Sequence, residues 1–349
     1  VILIRPIQVT DFDALVDIAK ASGHGFTSLP VDEALLKNRI KSSIQAFNLD
    51  INTQPNLHFN HTPAHYLFVA EDTDTKLIVG TSAIDAAVGL SDPFYHYRLS
   101  KIVHSSHALN VYKVVELLTL CNDYTGATEI GSLFLMPEYR QGLNGKLLSK
   151  FRFLFMAEHR NRFSDRIFAE MRGICDEDGH SPFWRWLQDN FFQIDFPTAD
   201  YLSGIGNKAF IAELMPQLPI YVNLLSKKAQ AVMGKVHEQT LPALKLLQHE
   251  GFSYRGYIDI FDAGPTVEAE LNHIRSVRSS LKLAVEITDQ QDDLSQAELC
   301  LLVNTQVKNF RATLHSVVTD KAAGKVYLPS KLASYLKLTE KDSCRILLL

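Results

Sequence analysis

Cysteine is scarce in this sequence, and none of it is closely paired. Cys121, Cys175, Cys300 and Cys344 lie far apart, without the short spacings of a zinc knuckle or a secreted disulfide framework. That usage excludes both and sets the expectation of a reducing, cytoplasmic setting. Long apolar runs are missing as well. No stretch reaches the ~18 residues of a membrane span, and no signal peptide is expected ahead of Arg5 and Pro6. Positive charge is not in excess: 35 Lys and Arg against 39 Asp and Glu leave a formal net charge of −4, and no stripe alternates basic with aromatic residues. Neither a membrane nor a nucleic acid is an expected partner. A Gly-Lys-Ser/Thr phosphate loop, a dinucleotide fingerprint and a Gly-x-Ser-x-Gly nucleophile elbow are all absent.

At 349 residues the chain fits two or three domains. Its pattern reads as α+β, a mixed central sheet flanked by helices. Residues 1–128 form an N-terminal α/β region. Residues 129–282 form a core with an irregular insertion at 176–237, and residues 283–349 a small β-rich lobe. Strands are expected at 1–6, 66–70, 77–86, 130–136, 166–171 and 254–261. Helices are expected after a cap at Asp11, over 32–47, over 144–160 and, capped by Thr240, over 241–250. The segment 87–128 looks less regular, and His104 and His107 are read there as sharing a helical face. The tail carries strand-like runs at 299–303, 310–318, 325–328 and 343–349 around a helix at 330–336.

The stretch 129–148 carries the most chemistry. An apolar strand feeds a turn with Arg140, Gly142, Asn144 and Gly145, and a helix follows at once. Such a turn aims backbone N–H groups and the positive end of a helix at one point, where a pyrophosphate binds. An ordinary glycine-bearing turn has the same spacing. His237, just ahead of a helix start, suits proton transfer near neutral pH, and a surface-loop histidine is the alternative. His58, His61 and His65 have a spacing open to a metal, but no supporting Cys or carboxylate cluster, so they read as a solvated loop. His24 lies between two glycines at a candidate pocket edge. Among the acidic residues at turns (Asp123, Asp176, Glu177, Asp178, Asp259, Asp262) and in strands, Glu170 stands out. A carboxylate inside the apolar run 166–171 needs a partner or a purpose, and Arg172 is the nearest cation in sequence.

These residues carry a recognisable pattern. The strand, turn and helix at 130–155, the strand at 166–171, and Ala243, Leu247, Gly251 and Phe252 before a last strand resemble the acyl-CoA N-acyltransferase (GNAT) superfamily. More closely, the chain resembles the arginine N-succinyltransferase family. The matching segments are Ile4–Pro6, Gly25–Pro30, Ala86–Leu90, Pro93–Tyr95, Asn122–Gly126, Asn144–Ser149, Ala169–Gly173, Ser181–Trp184, Ala209–Pro216 and Tyr257–Asp262. They span about 1–280, and the tail matches loosely. One departure concerns the turn, which in the superfamily runs Arg-x-x-Gly-x-Gly. Here Leu143 stands at the first of those glycines, Gly142 comes one place early, and Gly145 is kept.

The resemblance implies transfer of a succinyl group from succinyl-CoA, as co-substrate, to the α-amine of L-arginine, opening a route of arginine catabolism, with no tightly bound cofactor and no metal. It puts the acid/base histidine at His237 and a succinyl-CoA contact at Leu133. A bulge near Leu133 or Phe134 would turn a backbone N–H toward the thioester oxygen. Glu170 and Asp123 are the candidates for the guanidinium, and Arg172, with Arg98, Ser132 and Lys208, for the succinyl carboxylate. Ornithine as acceptor, a non-catalytic CoA-binding subunit of a hetero-oligomer, and a metal hydrolase built on His58, His61 and His65 are the rival readings. The chain is read as an oligomer, homo- or hetero-, with the β-rich tail and the block 91–112 as candidate contact surface.

Overall fold

Ten of the strands form one twisted sheet, in the order β1 (Ile2–Pro6), β2 (His65–Asp72), β3 (Ile78–Asp85), β6 (Thr128–Leu135), β7 (Arg166–Glu170), β10 (Pro265–Glu270), β9 (Ser253–Ile258), β4 (His96–Ser106), β5 (Val111–Cys121) and β8 (Ile220–Tyr221). The coordinates are a computed structural model. It describes all residues except 23–28, 51–62, 177–179, 196, 197, 200, 201, 203–208 and 290–295. Every neighbouring pair in this sheet is antiparallel except β6 and β7.

Helices α1 (Phe12–Ser22) and α2 (Glu33–Asn48) cover one face of β1–β3. Leu15, Leu36 and Ile40 pack there on Leu67, Val69 and Ala83. Asp32 caps α2 by accepting from the Leu35 N–H at 2.8 Å. Asp11 caps differently from the expectation. It closes a 3-10 turn by accepting from Gln8 and is held by a two-pronged ion pair with Arg5 at 2.7 and 2.8 Å.

Helix α3 (Asn144–Glu158) lies on the opposite face and is buried all round from Leu147 to Met156, which exceeds the one-sided stripe its sequence suggests. The reason is its second cover. The C-terminal strands β11 (Leu281–Ile287), β12 (Glu298–Asn304), β13 (Ala312–Asp320), β14 (Lys325–Leu328) and β15 (Ser343–Leu348) pair in the cycle β12–β15–β11–β14–β13–β12 and close on themselves. This closed lobe has its own interior of Leu302, Val326, Leu336 and Ile346, and β13 joins it to β1. Phe151, Phe155 and Phe310 meet where lobe and α3 touch. Glu158, at the end of α3, takes Lys282 and Arg345 from the lobe at 2.6 and 2.9 Å.

The segment read as irregular contains the longest hairpin of the sheet. β4 and β5 pair in unbroken register from His96↔Cys121 to Ser106↔Val111. His104 therefore lies on a strand and His107 in the turn, and they share no helical face. Their distal residues are exposed on both sides, so the apolar–polar alternation that marks a half-buried strand is absent from this part of the sequence. The insertion supplies α4 (Pro182–Phe191), α5 (Ala209–Leu214) and α6 (Lys227–Val232); Phe183, Trp184 and Leu187 of α4, Ile211 of α5 and Val232 of α6 share one apolar cluster with Tyr97 and Ile258. Helices α7 (Leu241–Glu250) and α8 (Arg275–Ser279) lie beside α3. A further helix, α9 (Ser330–Leu336), belongs to the lobe.

Candidate active site

The two parallel strands at the centre of the sheet part company. β6 and β7 are in register only at Thr128↔Ile167 and Glu129↔Phe168. Beyond that point β6 continues against β3 and β7 against β10. A bulge bends β6 at the start of the gap. Two steps on β3, from Thr81 to Ala83, face three on β6, from Gly131 to Phe134. Ser132 takes the strain at φ 49°, a conformation a non-glycine residue adopts only when its surroundings hold it. One hold is visible: the Thr81 hydroxyl donates to the Ser132 carbonyl at 3.0 Å. Leu133 follows, half-buried, with its backbone in the bulge.

At the end of β6 the chain makes the turn that precedes α3. Arg140 folds back over the strand end, its Nε donating to the Leu135 carbonyl at 2.7 Å and its guanidinium 5.3 Å from the Phe134 ring centroid. Gly142 has φ 57°, the left-handed region. Leu143 follows at φ −109°, which any residue adopts. The displaced glycine thus stands where the backbone needs one, and Leu143 is no obstacle. Asn144 ties the turn by donating from Nδ2 to the Tyr139 carbonyl at 3.0 Å. Leu143 cannot cap α3, and no acidic side chain lies in its first turn. The amides of Gly145 and Lys146 at the helix start are therefore uncapped and carry the positive end of the helix dipole. Among the described residues, nothing lies within 4 Å of a Cβ built on Gly142 or Gly145, which leaves the approach to these amides open there.

Parallel strands end on the same side of a sheet, so the exit of β7 lies across the gap from this turn. His237 hangs from that exit. Its N–H donates to the Arg172 carbonyl at 2.9 Å, and Val236 bridges Gly173. His237 is half-buried and caps the short turn Glu238–Thr240, its Nδ1 accepting from the Gln239 N–H at 3.2 Å. Burial and the Arg172 guanidinium both lower its pKa, with Glu238 opposing. The ring is therefore neutral at pH 7, and the Gln239 contact assigns its hydrogen to Nε2. Helix α7 starts directly after this turn. It is lashed to α3 by a buried ion pair of Lys150 with Glu250, whose other oxygen accepts from the Ser276 N–H at 2.7 Å. Turn and histidine are thus fixed to one helix pair.

A family model described as arginine N-succinyltransferase beta subunit matches residues 2–276, and one for the C-terminal domain of that subunit matches 282–347. The chain belongs to the arginine N-succinyltransferase family. Arginine N-succinyltransferase of Escherichia fergusonii is 45% identical over 344 residues, which cover 99% of this chain and 96% of that protein. The Citrobacter koseri enzyme is 44% identical over the same shares. The structure of arginine/ornithine succinyltransferase subunit AI from Pseudomonas aeruginosa superposes with a TM-score of 0.87 at 34% identity, covering 99% of this chain and 98% of that one. The acyl-CoA N-acyltransferase architecture expected from the sequence, with its β-rich C-terminal lobe, is the fold of this family member.

Two of the acidic candidates of this succinyltransferase-family chain, Glu170 and Asp123, lie near β7. Glu170 stands at its exit, with Oε1 2.9 Å from Nε2 of the fully buried His96. Burial lowers the His96 pKa to about 4, so this ring is neutral. Asp123 lies toward the start of β7. Its carboxylate accepts from the Tyr257 hydroxyl at 2.8 Å and lies 3.6 Å from Arg98, and its carbonyl takes Arg166 at 3.0 Å. The two carboxylates have different neighbours: Glu170 lies against His96, and Asp123 lies beside Tyr257 and Arg98. Arg172 is the sequence-predicted cation that the fold brings beside His237, and Arg98 pairs with Asp123 instead. His24, His58, His61, Glu177, Asp178 and Lys208 lie outside the described residues. His65 lies 2.8 Å from Asp85. Among the described residues no group of three His, Cys, Asp or Glu side chains is placed to hold a metal ion, and no helix is long and apolar enough to cross a membrane. Sequence reasoning missed His96 beside Glu170, because the aromatic block around it reads as irregular. It also missed the strain at Ser132, which no residue type announces.

Proposed function

We infer that this chain transfers the succinyl group of succinyl-CoA to the α-amine of L-arginine, giving N2-succinyl-L-arginine and CoA, the first step of arginine breakdown by succinylation. The observation that carries this is the parting of β6 and β7, with an uncapped helix start at one strand end and a neutral histidine at the other, in a chain that matches the family along almost its whole length.

The chemistry follows from that layout. The amides of Gly145 and Lys146 and the open turn at Gly142 suit the pyrophosphate of CoA. The pantetheine arm then runs into the gap and brings the thioester to the bulge. The bulge supports Leu133 as the residue whose backbone meets the acyl group, polarising the carbonyl as charge develops on its oxygen. The free α-amine attacks the carbonyl carbon. The nitrogen loses a proton, the C–S bond breaks, and the thiolate of CoA leaves and is protonated. His237 is the group for a proton transfer. Accepting a proton at Nδ1 means displacing the Gln239 N–H, a long and exposed contact that exchanges readily. Arg172 is the cation for the succinyl carboxylate, and Glu170 with Asp123 are the carboxylates for the guanidinium side.

The Pseudomonas aeruginosa protein's name includes ornithine and designates it a subunit, which supports a second reading: a broader acceptor range within a hetero-oligomer. Four free thiols support a cytoplasmic setting. Thiol release from succinyl-CoA, measured with arginine, ornithine and lysine in turn, tests the acceptor. Arginine is expected to be fastest. No amine-dependent release from the purified chain would sink the enzymatic reading.

A further inference from the structure

Asp262 is buried, and both carboxyl oxygens are committed to backbone. Oδ1 accepts from the Gly264 N–H of its own turn at 2.7 Å, and Oδ2 from the Gly173 N–H at 2.6 Å. The two segments touch without room for a side chain. A Cβ on Gly173 would lie 2.5 Å from the Asp262 carbonyl oxygen, and one on Gly264 would lie 2.0 Å from that of Met171. The same turn also holds the chain ahead of His237, because the Gly234 N–H donates to the Ala263 carbonyl at 2.8 Å. Two short routes therefore join Asp262 to His237. One runs through Gly173 and Arg172, the other through Ala263 and Gly234.

Asp259 completes the arrangement. Its Oδ1 accepts from the Phe261 and Asp262 N–H groups at 2.7 and 2.9 Å. Burial and the Asp259 carboxylate push the Asp262 carboxyl pKa up, partly offset by the bonds from Gly264 and Gly173. A carboxyl buried here is costly, and an apolar residue would fill the turn without that cost. What an apolar residue would not supply is an acceptor for the Gly173 N–H.

We propose that Asp262 is a positioning residue, which through Gly173 and Ala263 fixes where His237 stands at the exit of β7. This rests on the reading of His237 as the proton-transfer group. The test is a double-mutant cycle of Asp262→Asn and His237→Ala, read by kcat, by KM for succinyl-CoA and by thermal unfolding. An amide at 262 keeps the shape and turns a nitrogen toward one of the two backbone donors. With His237 present, Asp262→Asn should lower kcat about tenfold and leave KM for succinyl-CoA within about twofold. In the His237→Ala background it should lower kcat no further, because the group it positions is gone. Equal losses in both backgrounds, or no loss in either, would overturn the proposal. An unaffected kcat in His237→Ala alone would refute the reading beneath it instead, so the two failures are distinct. If Asp262→Asn fails to fold, Asp259→Ala takes its place on the same cycle. It removes the acceptor for the Phe261 and Asp262 N–H groups, and it should show the same non-additivity at about threefold. Additive or absent loss overturns the assignment there too.

Discussion

The backbone N–H of His237 donates to the carbonyl of Arg172 at 2.9 Å, which fastens the proposed proton-transfer group to the exit of β7, beside the gap. The contact also sets the histidine's electrostatics, because the Arg172 guanidinium adds to burial in disfavouring the imidazolium. The acidic limb of the kcat/KM profile is therefore expected below the ordinary histidine value of about 6.5. Activity falls as pH drops through that limb, since the protonated ring cannot take a proton. Arg172→Met should move the limb upward and raise KM for succinyl-CoA. His237→Asn should lower kcat by roughly 10²–10⁴ with little change in that KM. A limb unmoved by Arg172→Met would contradict the coupling.

The bulge makes a separate prediction. Ser132 is held at positive φ, so Ser132→Gly should keep the bulge and most of the activity. Ser132→Val should cost roughly 1–3 kcal/mol in stability and lower kcat by more than its effect on KM. Urea unfolding and steady-state kinetics on the two variants check this. Equal kinetics for Gly and Val would mean that the bulge has no part in the reaction.

Acid stability tests the buried histidines. His96 and His159 have pKa values lowered to about 4 by burial, against about 6.5 in the unfolded chain. Their contribution is fully present above pH 6.5 and is lost as pH falls through 4, because the unfolded state takes up the protons first. Between pH 7 and 4.5 each accounts for about 2 kcal/mol of lost stability. His96→Phe, packed among Phe94, Tyr124 and Phe168, should lose about 2 kcal/mol less than the parent over that interval. Parallel losses in urea unfolding would contradict a neutral His96.

Legibility in the sequence followed burial. Strands β1, β2, β3, β6 and β7 and helix α7 read correctly because one or both faces are covered and the apolar pattern records it. The hairpin β4–β5 did not, since its outer half meets water on both faces. β10, Pro265–Glu270, opens on proline and alternates Val and Ala with Glu268 and Glu270. Glu268 is explained only by Arg166 and the Tyr124 hydroxyl, from distant parts of the chain. At the candidate site, local chemistry was visible and long-range geometry was not. The turn at 140–146 and His237 stand out by residue type. The closure between Asp262 and Gly173 joins positions 89 apart, and nothing in either segment alone announces the other.

On the proposed reading, the gap between β6 and β7 receives an acyl-CoA whose acyl group ends in a carboxylate. Arginine-dependent thiol release with succinyl-CoA and with acetyl-CoA tests it most directly. The kcat/KM for succinyl-CoA should be higher by roughly 10² or more, because acetyl-CoA leaves the cation proposed for the succinyl carboxylate without its partner. Equal kcat/KM for the two donors would contradict it.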